Sequence, residues 1–171
     1  MSRNRCWMAM FVFLFLMGLG SRNAAMAEEK TIIGWLEQVY LPRYDFVMKA
    51  KIDTGAKNSS IHAMDIEYVK KERGKGSGVR FKTMDLEKRC QIIEAYVVRE
   101  ARIRKSTLRT ITRPEIELEI CLGRVRKRIR VNLEDRGGMN YRMILGRTAL
   151  EGDFIVDVSK KYIAGPDCRK E

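Results

Sequence analysis

Strict alternation of apolar and charged residues dominates positions 115–133, and it restricts the chain to β structure. Glu115-Ile116-Glu117-Leu118-Glu119-Ile120 repeats with period two. An extended segment then carries its carboxylates on one face and its apolar side chains on the other, whereas a helix would scatter both sets around its circumference. Leu122-Gly123-Arg124 supplies a turn. Val125 to Leu133 returns with Val125, Lys127, Ile129, Val131 and Leu133 on one face and Arg126, Arg128 and Arg130 on the other. The two segments predict a β-hairpin with one face in a core.

The same period recurs along the chain. Thr31–Leu41 reads as a first strand, Pro42–Asp45 as a turn, and Phe46–Ile52 as a second strand. Ser60–Ala63, Ile66–Val69, Val79–Phe81 and Cys90–Arg99 continue the extended pattern. Lys70–Gly78 contains three glycines and no apolar residue, which predicts a hairpin loop. Arg102–Arg113 again alternates. Met143–Arg147 and Phe154–Val158 close the series, and Thr148–Glu151 is the one stretch suited to a helical turn. Many short strands with turn signals between them predict an all-β fold, a barrel or a sandwich.

Residues 1–27 read as a secretory signal peptide. Arg3 and Arg5 precede an apolar run from Cys6 to Leu19, and Ala25-Met26-Ala27 offers small residues for cleavage after Ala27. The run is shorter than the ~20 residues a membrane-spanning helix needs, so an uncleaved anchor is the weaker alternative. Cleavage leaves a single domain over residues 28–171, expected in a periplasm or secreted medium and free of the membrane. That domain holds Cys90, Cys121 and Cys168, so at most one disulfide forms within a chain, with the pairing open. The leader holds Arg3, Arg5 and Arg22 and no acid. The 34 Lys and Arg less these three leave 31 against 22 acids, a net charge of +9. Such a surface attracts anionic partners.

Directly after the Phe46–Ile52 strand stands Asp53-Thr54-Gly55-Ala56. This places a short carboxylate on a tight turn, as an aspartic peptidase requires. Peptide hydrolysis by carboxylates needs two aspartates sharing one proton, because like charges about 3 Å apart cannot both ionise. The chain has one Asp-Thr-Gly and room for one lobe, so the expected remedy is a homodimer with Asp53 from each copy at a two-fold axis.

Asp53-Thr54-Gly55-Ala56, followed by Met143-Ile144-Leu145-Gly146-Arg147-Thr148-Ala149-Leu150, resembles the single-lobe aspartic proteases of retroviruses, the retropepsins. The chain is more closely similar to a bacterial family of retropepsin-like proteins, historically labelled ATP-dependent zinc proteases and associated with RimK-type glutamate ligases. The resemblance spans Ile33 to about Tyr162 and includes Ala50–Lys57, the Arg104 and Arg113-Pro114 region, and Met143–Leu150. It implies an all-β, closed barrel-like fold with one short C-terminal helix. In that fold an apolar-apolar-Gly strand passes behind the catalytic turn, and a β-hairpin flap closes over the substrate. By position the flap is Arg99–Arg113, with its tip near Arg104–Leu108.

The resemblance implies Asp53, Thr54 and Gly55 as the catalytic turn, with Thr54 bonding across the dimer. Ala56, Lys57, Arg104, Arg113 and Arg147 are the substrate-binding candidates. No cofactor and no metal are expected. Gly74–Gly78 lacks the spacing of a phosphate-binding loop, and His62 is the only histidine, which leaves a zinc site without ligands. Ser59 and Ser60 lack an orienting acid for a nucleophilic triad, His62 reads as a strand-surface or satisfied core residue, and Asp157 as a structural contact. Retroviral relatives usually carry an acid at the position of Lys57, and it pairs with the arginine at the position of Arg147. Here Arg147 must find another acid, such as Asp65 or Asp153, or join Lys57 on an anionic ligand. An arginine-rich flap suits carboxylates, so the expected substrate is an acidic, glutamate-rich peptide or protein and not a nucleic acid. The alternative is a catalytically silent binding module for an acidic peptide, an envelope polymer or a partner protein.

Overall fold

The alternating segments 115–120 and 125–133 sit inside longer strands, and the turn between them is tighter than its flanks. The computed structural model describes residues 29–70, 77–104 and 110–170. The segment 1–27 read as a signal peptide, the centre of the 70–78 loop, and residues 105–109, which hold most of the expected flap tip 104–108, lie outside the described residues. The strands in chain order are β1 (Thr31–Gly34), β2 (Leu36–Leu41), β3 (Phe46–Ile52), β4 (Ser59–His62), β5 (Met64–Lys70), β6 (Ser77–Met84) and β7 (Cys90–Arg104). They continue with β8 (Thr110–Leu122), β9 (Val125–Glu134), β10 (Met143–Leu145) and β11 (Phe154–Asp157). One α-helical turn, α1 (Arg147–Leu150), follows β10. Leu122 pairs with Val125 across Gly123-Arg124, and Gly123 has φ +58°, which favours a residue without a Cβ.

Nine strands form one sheet in the order β2-β3-β10-β4-β9-β8-β7-β6-β5, and a Tyr40–Cys121 bridge between β2 and β8 closes its first six strands into a ring. Inside the ring lie Val39, Leu41, Met48, Ile61, Ile116, Leu118, Ile120, Val131, Leu133, Met143 and Leu145, all buried. They are the apolar halves of the alternating patterns, and their removal from water is the main term holding the ring together. β7, β6 and β5 continue the sheet beyond β8, and Val79, Phe81, Ile93 and Ala95 join the same core.

The expected single strand over Thr31–Leu41 is two strands, broken at Trp35. β1 leaves the main sheet and pairs in parallel with β11. The break has a tertiary cause. The C-terminal segment crosses here, with Trp35 N donating to Lys160 O at 2.9 Å and Tyr162 N to Leu36 O at 2.8 Å. A Cβ on Gly34 would lie 2.5 Å from Lys160 O, so only glycine admits the crossing. Glu37, fully buried, accepts from the backbone N–H groups of Gly34 at 2.7 Å and Ile163 at 3.1 Å, which satisfies a carboxylate that burial would otherwise penalise. A Cys121–Cys168 disulfide fastens the far end of the segment to β8 and leaves Cys90 free and exposed.

Candidate active site

β3 delivers Asp53 to its turn and β10 holds it there. β10 lies between β3, to which it is parallel, and β4, to which it is antiparallel. The turn 53–58 therefore connects two strands that are not neighbours, and it must pass over the end of the strand between them. Asp53 N donates to Leu145 O at 2.8 Å. Asp53 Oδ1 accepts from the N–H groups of Gly55 and Ala56, each at 3.2 Å, an Asx-type turn that fixes the carboxylate. Oδ2 has no partner among the described residues. Thr54, Gly55 and Lys57 are exposed around it.

Gly146 seats the turn from behind. A Cβ there would stand 2.6 Å from the carbonyl carbon and oxygen of Asn58, so the backbones meet without a side chain between them. Its N–H donates to Ser59 Oγ at 3.1 Å. The first turn of α1 continues the contact. Arg147 N donates to Ala56 O at 2.9 Å, and Thr148 gives Lys57 O both its N–H, at 3.1 Å, and its hydroxyl, at 3.0 Å.

The structure corrects one of the two expectations for Arg147, that it pairs with Asp65 or Asp153. Neither acid named for it is available, since Asp65 binds Lys82 at 2.9 Å and Asp153 binds Lys127. Arg147 Nη1 instead donates to Thr54 O at 2.9 Å and Gly55 O at 2.8 Å. The guanidinium holds the Asp53 turn by its carbonyls, and Lys57 is an exposed cation. Asp53, Thr54, Gly55, Ala56, Lys57 and Arg147 are thus brought together in one constellation.

The flap candidates divide. β7 and β8 form the expected hairpin, paired from Val97–Ile116 out to Arg104–Thr110. The Arg104 side chain lies outside the described residues. Arg113 is only slightly exposed and is engaged by Glu134, with a second contact of 3.3 Å from its Nη1 to Asn132 Oδ1. Arg99 forms a two-pronged pair with the buried Glu115, at 2.7 and 3.1 Å. Beside the turn lies a cleft of about 490 Å³ lined by Lys57, Thr148, Arg99, Arg128, Arg130, Glu115 and Glu117. Arg130 approaches Glu117 at 3.6 Å. Lys57 and Arg128 have no acidic partner among the described residues.

A buried polar layer adjoins the turn, and sequence reasoning missed it. Ser59, Ser60, His62 and Asn132 are all buried. His62 is the satisfied core histidine of the two alternatives. Its Nδ1 accepts from Arg136 N at 2.9 Å, and Arg142 stands 3.3 Å from Nε2. Burial, followed by the charge of Arg142, holds its pKa below the usual imidazole value, while Asp135 opposes the shift. Asp157 is structural as expected. Its carboxylate accepts from the N–H and hydroxyl of Ser159, and those bonds hold its pKa low. Among the described residues no group of three or more His, Cys, Asp and Glu side chains is placed to hold a metal ion.

Known proteins are similar to this chain. A probable alpha-L-glutamate ligase of Shewanella pealeana is 33% identical over 144 residues, covering 82% of this chain and 31% of its own length. A probable alpha-L-glutamate ligase of Parasynechococcus marenigrum is 32% identical over 146 residues, covering 83% of this chain and 31% of its own. The chain therefore spans about a third of the length of these curated relatives. The crystal structure of Lpg0085 from Legionella pneumophila, a protein of unknown function, superposes with a TM-score of 0.68 at 29% identity, over 80% of this chain and 99% of that one. Residues 32–167 match the retropepsin-like aspartic endopeptidase RimB, and with the Asp53 turn seated on β10 and Gly146, the chain belongs to the RimB-like family of retropepsin-like aspartic endopeptidases.

Proposed function

We propose that the chain is an exported aspartic endopeptidase, active as a homodimer, that hydrolyses peptide bonds in acidic, glutamate-rich substrates. One observation carries the reading: Asp53 is pinned at Oδ1 by the Gly55 and Ala56 N–H groups on an exposed turn, which leaves Oδ2 for chemistry. In the dimer, a water sits between Asp53 and the partner's Asp53, which share one proton. The unprotonated carboxylate takes a proton from the water as its oxygen attacks the scissile carbonyl, and the protonated one donates to the carbonyl oxygen. Collapse of the tetrahedral intermediate breaks the C–N bond, with a proton passing to the leaving nitrogen.

The homodimer is supported by the single copy of the turn and its exposure. An apolar face of the kind a second copy covers adds to this. Ile32 and Ile155 are paired in the β1–β11 sheet and stand 56% and 53% exposed. Export is supported by the 1–27 sequence pattern and by a Cys121–Cys168 bond that an oxidising compartment favours. Acid preference is supported by the cations Lys57 and Arg128 in the cleft beside the turn.

Asp53→Asn tests the reading. The amide still accepts from Gly55 and Ala56, so folding is expected to survive while cleavage falls by at least about a thousandfold, as loss of a general base and shared proton demands. Cleavage that persists would refute the peptidase assignment. A peptide library differing only in acidic content tests the preference, and indifference to acidity would remove it. Sedimentation tests the dimer, and a strict monomer at every concentration would favour the binding-module alternative.

A further inference from the structure

We propose that Arg113 is a positioning residue, coupling the flap hairpin to the catalytic turn through a buried polar relay that ends on Ser59 and Ser60. The proposal rests on the peptidase reading above.

Arg113 sits in β8, paired with Ala101 close to the last described pair of the flap hairpin. Its guanidinium faces inward, with the side chain 12% exposed. Two branches leave it. In the first, Nη1 donates to Asn132 Oδ1 at 3.3 Å, Asn132 Nδ2 donates to Ser59 O at 2.7 Å, and Ser59 Oγ accepts from Gly146 N at 3.1 Å. Gly146 is the residue on which the Asp53 turn is seated. In the second, Nη2 donates to Glu134 Oε1, while Glu134 Oε2 accepts from Ser60 Oγ at 3.4 Å and from Arg136 Nη1 at 3.2 Å. The two branches arrive on consecutive residues of β4, the strand that leaves the turn.

A tether of this chemistry has a specific consequence. Buried charges and amides are tolerated only when paired, and well-packed apolar side chains would fill the same layer at no loss of stability. The polar solution instead adds direction. A guanidinium is a rigid planar fork, and here two of its nitrogens hold acceptors on the same strand, β9. Displacement of the flap base breaks both contacts together, and restoring the flap re-forms them. The position of the hairpin is therefore registered at Ser59 and at Gly146, beneath Asp53. Lysine at 113 keeps the charge for Glu134 but cannot span both acceptors.

Amide hydrogen exchange and steady-state kinetics on Arg113→Lys, Ser59→Ala and the double variant test the coupling. Ser59→Ala removes the acceptor of Gly146 N–H and sets the reference for its full loss. Arg113→Lys is expected to speed exchange at Gly146 by about tenfold, as loss of local support for one buried hydrogen bond does, with Phe81 and Ile93, paired across β6 and β7, unchanged. The double variant should exchange no faster at Gly146 than Ser59→Ala alone. In kinetics, Arg113→Lys should lower kcat by about tenfold with KM held within about twofold, the signature of mispositioning and not of lost substrate contact. Unchanged exchange at Gly146 in folded Arg113→Lys overturns the proposal, as does a rise in KM with kcat intact. If Arg113→Lys does not fold, Asn132→Ser carries the same test, because it cuts the Ser59 branch and leaves the Arg113–Glu134 pair. If the unaltered protein cleaves no peptide, the peptidase reading falls, and exchange at Gly146 alone decides the coupling.

Discussion

Gly146→Ala separates the seating of the catalytic turn from the stability of the fold. The added Cβ would lie 2.6 Å from the Asn58 carbonyl and 2.9 Å from the Lys57 carbonyl carbon. Carbon contacts rest near about 3.5 Å, so roughly 0.9 Å must open between α1 and the exit of the turn. Every atom involved is backbone, and no side chain can swing aside. Gly146 has φ −86° and ψ 174°, which alanine adopts freely, so the cost is purely one of overpacking, about 1–3 kcal/mol. Gly34→Ala is the matched control. Its Cβ meets Lys160 O at 2.5 Å and Lys161 Cα at 2.8 Å, again backbone, but in the C-terminal segment. Urea unfolding should show both variants destabilised by similar amounts, with unchanged m values. Only Gly146→Ala should lose catalysis, by about a hundredfold, since a displacement near 1 Å at the reacting group costs that much. Wild-type stability in Gly146→Ala would show that the turn does not rest on Gly146, and equal activity losses in the two variants would show that seating has no catalytic role.

Two further outcomes follow from groups outside the turn. The Cys121–Cys168 bond spans 47 residues of sequence, and loop-closure entropy puts its removal at about 4 kcal/mol. Urea unfolding of the Cys121→Ser, Cys168→Ser double variant checks this, and a loss below about 1 kcal/mol would refute the staple. His62 has a folded pKa below its ordinary 6.5. Between those two values the unfolded chain binds the extra proton, so stability is fully present above pH 6.5, falls as pH drops through 6.5, and levels off below the folded value. Unfolding measured across that window should show this slope in the native sequence and not in His62→Gln; equal slopes would place the acid sensitivity elsewhere.

The strands were legible because burial on one face enforces period two. Glu115–Ile120, Val125–Leu133 and Phe46–Ile52 all lie in strands with the expected faces inside. What local pattern does not encode is which distant backbone crosses a strand. Nothing in Gly34-Trp35 announces that residues 160–163 pass over it, and so the first strand read as unbroken. The same limit applied to the cations. Counting acids offered Asp65 or Asp153 to Arg147, whereas its acceptors are carbonyls created by the turn itself. The charge pattern of the flap could not distinguish Arg113, whose acceptors lie on β9, from a solvated arginine. Ser59 and Ser60 gave no signal either, because hydroxyls in a strand reveal their worth only when Asn132 and Glu134 are placed beside them.

Arg147 gives the site its electrostatic character. In the retroviral proteases that the sequence resembles, an acid usually stands at the position of Lys57 and pairs with this arginine. In this chain Lys57 stands at that position, and Arg147 gives its hydrogens to two neutral carbonyls, so its charge is not cancelled by any acid among the described residues. Lys57 likewise meets no acid among the described residues, and the acids lining the cleft, Glu115 and Glu117, are directed at Arg99 and Arg130. The arrangement that fixes the turn and the arrangement that makes its surroundings cationic are therefore one and the same. Replacing Lys57 with an acid would draw Arg147 from the Thr54 and Gly55 carbonyls toward a carboxylate. Turn geometry and attraction for acidic chains would then change together, and a substrate preference altered at Lys57 alone cannot be read as a simple change of surface charge.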